Sequence, residues 1–446
     1  MRLRVPHPIA LLVSCILLAA AATWILPAGR YQRHHDDVTA RDIVVPGTYA
    51  RVAAAPVGGF RALVAIPRGI GAAVDVVAFV FLVGGAFAVV EQTGALRRAL
   101  RRLITAVGGR QAIVIPVICL AFALAGALEN MQEEIIAFVP LLLLLVRGLG
   151  LDALTACAMS VGAAAVGSAF SPINPFQVII AQKVAQLPPG SGASFRLTVL
   201  VLALGLWIWG TMRYAKQHRV EPESLTLHHE HEAAGWRLDV ILLLVIATLA
   251  MLPIGLNVLG WGFDELSALF FIMGAAAGLL AGMGIGGTSE AFAEGFRQMA
   301  LAALIIGFAK AISVVLDDGQ VLDTIVHGLV TPLNGLPSTA SAVAMQGVQS
   351  LIHIPVPSVS SQAILTMPIL VPVSDLLGIG RQVTVLAYQY GAGLCEIVTP
   401  TNGALIAILA AAGVRFEKWF RFALPMYALL MLLGAVAIAV GMRMAW

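Results

Sequence analysis

The chain has 446 residues, of which 59% are hydrophobic and only 11% are Asp, Glu, Lys or Arg, with a net charge of +3. Soluble domains carry about 25% charged residues, so this chain cannot cover itself with a water-facing surface and most of its exterior must meet lipid. The composition excludes a cytosolic enzyme, a secreted domain and a disordered chain, and so small a net charge gives no case for nucleic acid.

A membrane-crossing helix needs about 20 mostly apolar residues. Runs of that kind lie at 8–26, 71–93, 111–128, 135–147, 153–187, 197–213, 239–257, 264–285, 299–316, 338–355, 363–377, 382–413 and 423–443. The first run could be mistaken for a signal peptide ending near Ala20-Ala21-Ala22, but we read it as a retained span. Residues 38–59 are polar, contain Val45-Pro46-Gly47-Thr48-Tyr49, and cannot cross. Runs 111–128 and 135–147 are separated by Glu129-Asn130-Met131-Gln132-Glu133-Glu134, and 338–355 and 363–377 by Val356-Pro357-Ser358-Val359-Ser360-Ser361-Gln362. Their second arms are short for a crossing, which predicts two re-entrant hairpins with polar tips, at about 111–147 and 338–377. The runs 153–187 and 382–413 are broken by Ser171-Pro172-Ile173-Asn174-Pro175 and Thr399-Pro400-Thr401-Asn402-Gly403. Irregular backbone at membrane depth has to be enclosed by protein or line a cavity.

The polar connection 214–238 holds His228-His229-Glu230-His231-Glu232, which we read as part of a solvated cytoplasmic linker rather than a metal site. Cys15, Cys119, Cys157 and Cys395 sit in apolar runs with no CxxC pair, so they read as small core residues. Arg97, Arg98, Arg101, Arg102 and Arg110 in one loop, with Arg2, Arg4, Arg415, Lys418 and Arg421 elsewhere, orient the chain with its N-terminus in the cytoplasm.

The chain repeats itself. One constant offset brings Pro140 onto Pro368, Leu149-Gly150 onto Leu377-Gly378, Pro172 onto Pro400 and Asn174 onto Asn402, and the two tips onto each other. Agreement concentrated on Pro, Gly and Asn is agreement on unusual backbone. The non-spanning segment 38–59 has the apolar run 264–285 as its counterpart, so one extra crossing inverts the second half; without that crossing the duplication is parallel. The expectation is an all-α polytopic membrane protein of two inverted repeats, 1–213 and 239–446, each with a hairpin and a broken span, the architecture of secondary transporters.

Half-helices that meet at mid-membrane expose free carbonyls and free N–H groups. Carbonyls with the oxygens of Ser171, Asn174, Thr399 and Asn402 could coordinate a small cation such as sodium, and the N–H ends could hold a carboxylate. Ser358, Ser360, Ser361 and Gln362 at the second tip are neutral donors, with Thr401 beside the second break. The first tip offers Asn130, Gln132, Glu133 and Glu134, with Glu129 at its edge; ionisable groups in a span are costly and usually functional, and a Glu here could bind a proton or a cationic group. Lys183 and Lys310 lie in apolar runs and could pair with a carboxylate or snorkel to an interface; Glu396 stands just ahead of the second break and could line the site. There is no HExxH, GxSxG or GxxxxGK[ST], so the sequence predicts no catalysis and no transport driven by its own ATP hydrolysis.

Ala65-Ile66-Pro67-Arg68-Gly69-Ile70, Gly84-Gly85-Ala86-Phe87 with Gln92-Thr93-Gly94, Glu133-Glu134 with Phe138, Asn174-Pro175-Phe176, Asp323-Thr324-Ile325, Gln362 with Met367-Pro368, Arg381-Gln382 and Pro400-Thr401-Asn402 occur in order. In that order and spacing the chain resembles the YfcC-type branch of the C4-dicarboxylate anaerobic carrier (DcuC) family, within the ion-transporter superfamily. The resemblance implies a scaffold domain, often dimeric, and a transport domain that carries both hairpins and moves like an elevator. Related sodium symporters carry Ser-Asn-Thr at their tips; neither tip here does, and Gly391-Ala392-Gly393 stands where many relatives have an acidic residue. The coupling ion therefore stays open between H+ and Na+. The expected function is secondary transport, by symport or exchange, of a small carboxylate-bearing metabolite such as an amino acid or a C4-dicarboxylate across a bacterial inner membrane, with no cofactor. A channel, a membrane-embedded enzyme and a receptor on the same fold are the rivals.

Overall fold

The computed structural model describes residues 8–36, 41–96, 98, 111–222, 235–257 and 259–444. The His228–Glu232 run and Arg97, Arg101, Arg102 and Arg110 fall outside these residues, as does the side chain of Glu129.

Seventeen helices carry the described chain. The first, α1 (Pro8–Ile25), leads into a polar segment that does not cross, as its composition requires. It adds something the all-α expectation lacks: two small antiparallel pairs, β1 (Gly29–Arg30) with β4 (Ala50–Arg51), and β2 (Arg33–Asp36) with β3 (Arg41–Val44). Short and polar, this stretch satisfies part of its backbone by pairing with itself. It is pinned to α12 (Leu322–Val330). The buried Asp323 accepts from the Tyr31 N–H at 2.9 Å and from Arg33 at 2.7 Å, and Thr324 donates to the Pro27 carbonyl at 2.8 Å. The Tyr49 ring stacks on His327 with centroids 4.1 Å apart.

Next come α2 (Gly59–Gly71) and α3 (Val74–Gln92). The first hairpin is α4 (Gln111–Glu129), a tight 3-10 turn (Glu133–Phe138) and α5 (Val139–Gly148). The first broken span is α6 (Ala153–Ala169), the break, then a wide turn (Pro175–Ile179) and α7 (Ile180–Val184). Four longer helices follow: α8 (Ala193–Gln217), α9 (Gly235–Asn257), α10 (Phe263–Leu280) and α11 (Gly284–Asp318). The second hairpin is α13 (Ser338–His353) and α14 (Val359–Leu376); the second broken span is α15 (Arg381–Cys395) and α16 (Gly403–Ala411); α17 (Phe416–Arg443) closes the chain.

Among the described residues eight helices are long and apolar enough to cross a membrane: α1, α3, α8, the stretch Gly235–Leu252 of α9, α10, α11, α14 and α17. The presence of α14 among them corrects the expectation of a short second arm starting at 363. Ser360, Ser361 and Gln362 join the helix, because the Gln362 N–H reaches the Ser358 carbonyl at 2.9 Å and its side chain is buried between the arms. The first hairpin keeps a short second arm of 10 residues.

The helix α11 is the spine of one region. At 35 residues it spans about 52 Å, well over the ~30 Å hydrocarbon thickness. It packs on α1, α2, α3 and α10, with Phe79, Phe87, Phe270 and Phe292 filling the α3–α10–α11 core. A second, larger core joins the hairpins, both broken spans, α8 and α17 around Phe170, Trp207, Tyr390 and Trp419. The two regions touch where α11 meets α16.

Candidate functional site

The first break is held by its own polar groups. Asn174 caps the following turn, accepting from the Phe176 and Gln177 N–H groups at 2.9 and 3.0 Å, and its amide donates to the Gly126 carbonyl at 2.9 Å. Ser171 donates to the Ala127 carbonyl at 2.6 Å and accepts from the Asn174 N–H at 2.9 Å. Behind them Arg196 donates to Gln389 at 3.2 Å, and Gln389 donates to the Ser171 carbonyl at 2.7 Å. All four side chains are fully buried. Ser171 and Asn174 thus tie the break to the end of α4, and through it they set the first tip.

That tip turns at Asn130, whose φ of +56° is the left-handed region that Asn tolerates better than most residues. The Asn130 carbonyl group of the side chain accepts from Ser168 and, at 3.0 Å, from Gln177. The turn then points Gln132 at the second break. Gln132 donates to the buried carboxylate of Glu396 and accepts from the Asn402 amide at 2.9 Å. Asn402 in turn caps α16, accepting from the Leu405 N–H at 3.1 Å. Thr399 bonds Thr401 at 2.8 Å, and Thr401 donates to the Ile354 carbonyl of the second hairpin at 2.7 Å. One break and both tips are therefore wired together.

Above this junction opens a cavity of about 890 Å³. Of the sequence-predicted residues it brings together Asn130, Gln132, Glu133, Glu134, Ser358, Ser360, Ser361, Thr401 and Asn402. Ser171, Asn174, Thr399 and Gln362 are not in its wall. Gln362 turns back between the hairpin arms, donating to the Gln349 carbonyl at 2.7 Å and accepting from His353 at 2.8 Å. The oxygens proposed for sodium fall into two separate clusters, each engaged in fixing backbone, and among the described residues no group of three or more His, Cys, Asp and Glu could hold a metal ion.

The wall also holds residues outside the predicted set: Glu396, Lys310, Ser313, Asp317 and Trp261. A lone charge in an apolar run was the signal for Glu396 and Lys310. Nothing in sequence places Trp261 or Asp317 there, since both come from elements distant from either tip. Among the described lining residues the ionisable groups are four carboxylic acids, Glu133, Glu134, Glu396 and Asp317, and one base, Lys310. Such a wall attracts a cation and has one place for an anion.

The family model described as C4-dicarboxylate anaerobic carrier matches residues 5–443. The putative basic amino acid antiporter YfcC of Escherichia coli (strain K12) is 31% identical to this chain, over 98% of it and 96% of that protein. An uncharacterized protein of Haemophilus influenzae (strain ATCC 51907 / DSM 11121 / KW20 / Rd) is 27% identical, again over 98% and 96%. Among solved structures, the YdaH transporter of Alcanivorax borkumensis matches 99% of both chains at a TM-score of 0.47 and 18% identity. MtrF of Neisseria gonorrhoeae matches 98% of this chain and 95% of its own at 0.41 and 17%.

Proposed function

This chain belongs to the C4-dicarboxylate anaerobic carrier family, as a multi-pass membrane transporter and not an enzyme, and from that premise we propose that it is a secondary active transporter whose substrate is a cationic amino acid. The observation that carries the reading is the charge of the cavity wall, four carboxylic acids against one lysine. A C4-dicarboxylate brings two negative groups to a wall that offers a single base. An amino acid with a basic side chain brings two positive groups and one negative, which matches it. The Escherichia coli relative, a putative basic amino acid antiporter, agrees in class.

In this reading the substrate's cationic group meets Glu133 and Glu396, and Gln132, itself held by Asn402, keeps the Glu396 carboxylate in register. Coupling to protons follows from the same carboxylates: a site that gives up a cation can take up a proton in its place. The engaged oxygens of Ser171, Asn174, Thr399 and Asn402 leave sodium the weaker option. The repeated hairpins and broken spans support inverted repeats, with 1–213 and 239–446 as the halves. The α11-centred region serves as scaffold, in a homodimer, and the hairpin region as the moving part. The arginine-rich segment 94–110 supports a cytoplasmic N-terminus in a bacterial inner membrane.

Counterflow tests the reading. Proteoliposomes preloaded with unlabelled arginine should accumulate labelled arginine transiently, and Glu396→Gln should lower the initial rate by about tenfold or more, the scale of one lost charged hydrogen bond. Counterflow of succinate with none of arginine would reverse the choice of substrate, and current without counterflow would make the protein a channel.

A further inference from the structure

The second hairpin is tied across its arms by polar side chains. Its first arm, α13, packs chiefly on α15, and between α13 and α14 stands a fully buried set, Gln349, His353, Gln362 and Thr366. The hydrogen positions in this set follow from one backbone group. The Gln349 carbonyl can only accept, so the Gln362 side-chain atom that meets it at 2.7 Å is the amide nitrogen. The same nitrogen reaches the Gln349 side-chain oxygen at 2.5 Å, and the Gln349 amide donates in turn to Thr366 at 2.9 Å. Gln362 therefore turns its own oxygen toward His353 Nδ1, 2.8 Å away, and Nδ1 carries the hydrogen. A neutral ring so placed leaves Nε2 as a bare acceptor, and among the described residues nothing donates to it.

A buried polar atom without a partner is rare in a folded protein and asks for a role. A proton on Nε2 would make the ring a cation, and in the closed hairpin that cation meets no carboxylate. The titratable groups that neighbouring elements bring near the hairpin are engaged elsewhere. On α15, Glu396 holds Gln132, Tyr388 donates to the Val359 carbonyl at 2.6 Å, and Cys395 donates to the Ser350 carbonyl at 3.3 Å. The Tyr427 hydroxyl of α17 lies beside Ser350, and on α12 Asp323 pairs with Arg33 and His327 bonds Tyr31. Asp42, on the strand that packs on α14, pairs with His35, and Asp375, near the far end of α14, pairs with Arg381. Burying an uncompensated charge is expensive, so the closed arrangement excludes the second proton. Once the arms part and water reaches Nε2, the imidazole takes up a proton at about pH 6.5. A proton that binds one arrangement and not the other favours the first. His353 is two residues before Pro355, and Pro355, Val356, Pro357 and Ser358 lie in the cavity wall, so parting the arms at His353 moves that wall.

We propose that His353 Nε2 is a proton-binding site of the second hairpin that fills only when its two arms part, so that acid favours the parted arrangement and proton uptake is tied to movement of the second tip. The site is separate from the cavity carboxylates and does not depend on which metabolite is carried.

Pulsed dipolar spectroscopy on purified full-length protein reads the separation of the arms directly. Spin labels are attached at Leu351→Cys on α13 and Ser361→Cys on α14, both exposed positions, with Cys15, Cys119, Cys157 and Cys395 replaced by serine. With the proton bound only to the parted arrangement, the ratio of parted to closed molecules should rise about thirtyfold between pH 8 and pH 5. In His353→Gln, which can still donate to Gln362 but takes up no proton, the ratio should stay level over that range. His353→Asn is the second variant and should behave likewise. A level ratio in the protein that keeps His353, as a buried water held on Nε2 would give, overturns the assignment. The same rise retained in His353→Gln or His353→Asn overturns it too, and places the titrating group among the cavity carboxylates. Failure of arginine counterflow, by contrast, removes the substrate reading and leaves this site standing.

Discussion

Gln132 is the residue on which the site turns, because one side chain amide satisfies two partners of opposite character. Its N–H donates to the Glu396 carboxylate and its oxygen accepts from Asn402, so it fixes both the charge at the cavity floor and the start of α16. Asn402 does two jobs that can be separated by substitution. Asn402→Ala removes the cap of α16, at about 1 kcal/mol, and also the amide that meets Gln132. Asn402→Ser keeps a capping oxygen and loses only the amide. The expected outcome is counterflow abolished in both variants, with the thermal midpoint lowered in the alanine variant and near wild type in the serine variant. Normal counterflow by Asn402→Ser would show that the link between tip and break is structural only. The bond from Gln132 to its partners joins residues 264 and 270 positions apart. That explains what could be read beforehand. Pro, Asn and Gly mark irregular backbone locally, so both breaks and both tips were legible as candidates; which of them face one cavity depends on contacts across the chain, which no local pattern encodes.

Between elements, the closest approach is that of α4 and α6, and it is made by small residues. A Cβ at Gly126 would collide with the Ala164 carbonyl oxygen, and one at Gly167 with the Ala123 carbonyl oxygen, so two reciprocal glycines let the helices touch backbone to backbone. Since the same turn of α4 provides the Gly126 and Ala127 carbonyls that hold Asn174 and Ser171, the crossing also sets the first tip. Gly126→Val should sharply reduce the yield of folded, monodisperse protein in size-exclusion chromatography, whereas Gly205→Val, on α8 with open space around it, should not. A second element-level device caps α6. Asp152 accepts from the Thr155 N–H at 2.9 Å, from Tyr214 at 2.9 Å and from Lys418 at 2.8 Å, joining the start of α6 to α8 and α17. Burial alone raises its pKa, but the hydrogen bonds from Lys418, Thr155 and Tyr214 outweigh it and leave the carboxyl below its ordinary value. A depressed carboxyl stabilises the fold above the unfolded-chain pKa of about 3.9, and that stabilisation is lost as pH falls through the lower folded value. Lys418→Met should therefore lower the thermal midpoint near neutral pH, with the gap to wild type closing below about pH 4. A gap that stays constant with pH would mean that packing, not charge, accounts for it. The helices themselves were legible because apolar runs with Gly and Pro boundaries mark them. The length of α14 was not, since Ser360, Ser361 and Gln362 look like tip residues until the polar partners Gln349 and His353 on the facing arm are known.

At the scale of the whole molecule, two packed regions meet along α11 and α16, and any alternating-access movement that carries the hairpins past the α11-centred region has to break this contact. The resemblance implies a scaffold and a moving part; it does not say where the two would part. Gly403 marks the contact, because its missing side chain lets α16 lie against Ile306 and Ala309. A built Gly403 Cβ lies 3.3 Å from that of Ala309, close to the ~3.5–4.5 Å between Cβ atoms in disulfides. The natural cysteines Cys15, Cys119, Cys157 and Cys395 are free and in no pair, so they can be replaced by alanine or serine to give a clean background. In that background, oxidation of the Ala309→Cys, Gly403→Cys double variant should cross-link α11 to α16, stop counterflow, and release it again on reduction. Oxidant should leave the transport rate of each single variant unchanged. Binding of arginine by the cross-linked protein should survive, because the cross-link holds the arrangement in which both tips, the second break and Lys310 line one cavity. Loss of transport with retained binding is the signature of an arrested movement rather than a damaged site. A cross-linked protein that still runs counterflow at the full rate would mean that α11 and α16 travel together, and the boundary between fixed and moving parts would have to be drawn elsewhere.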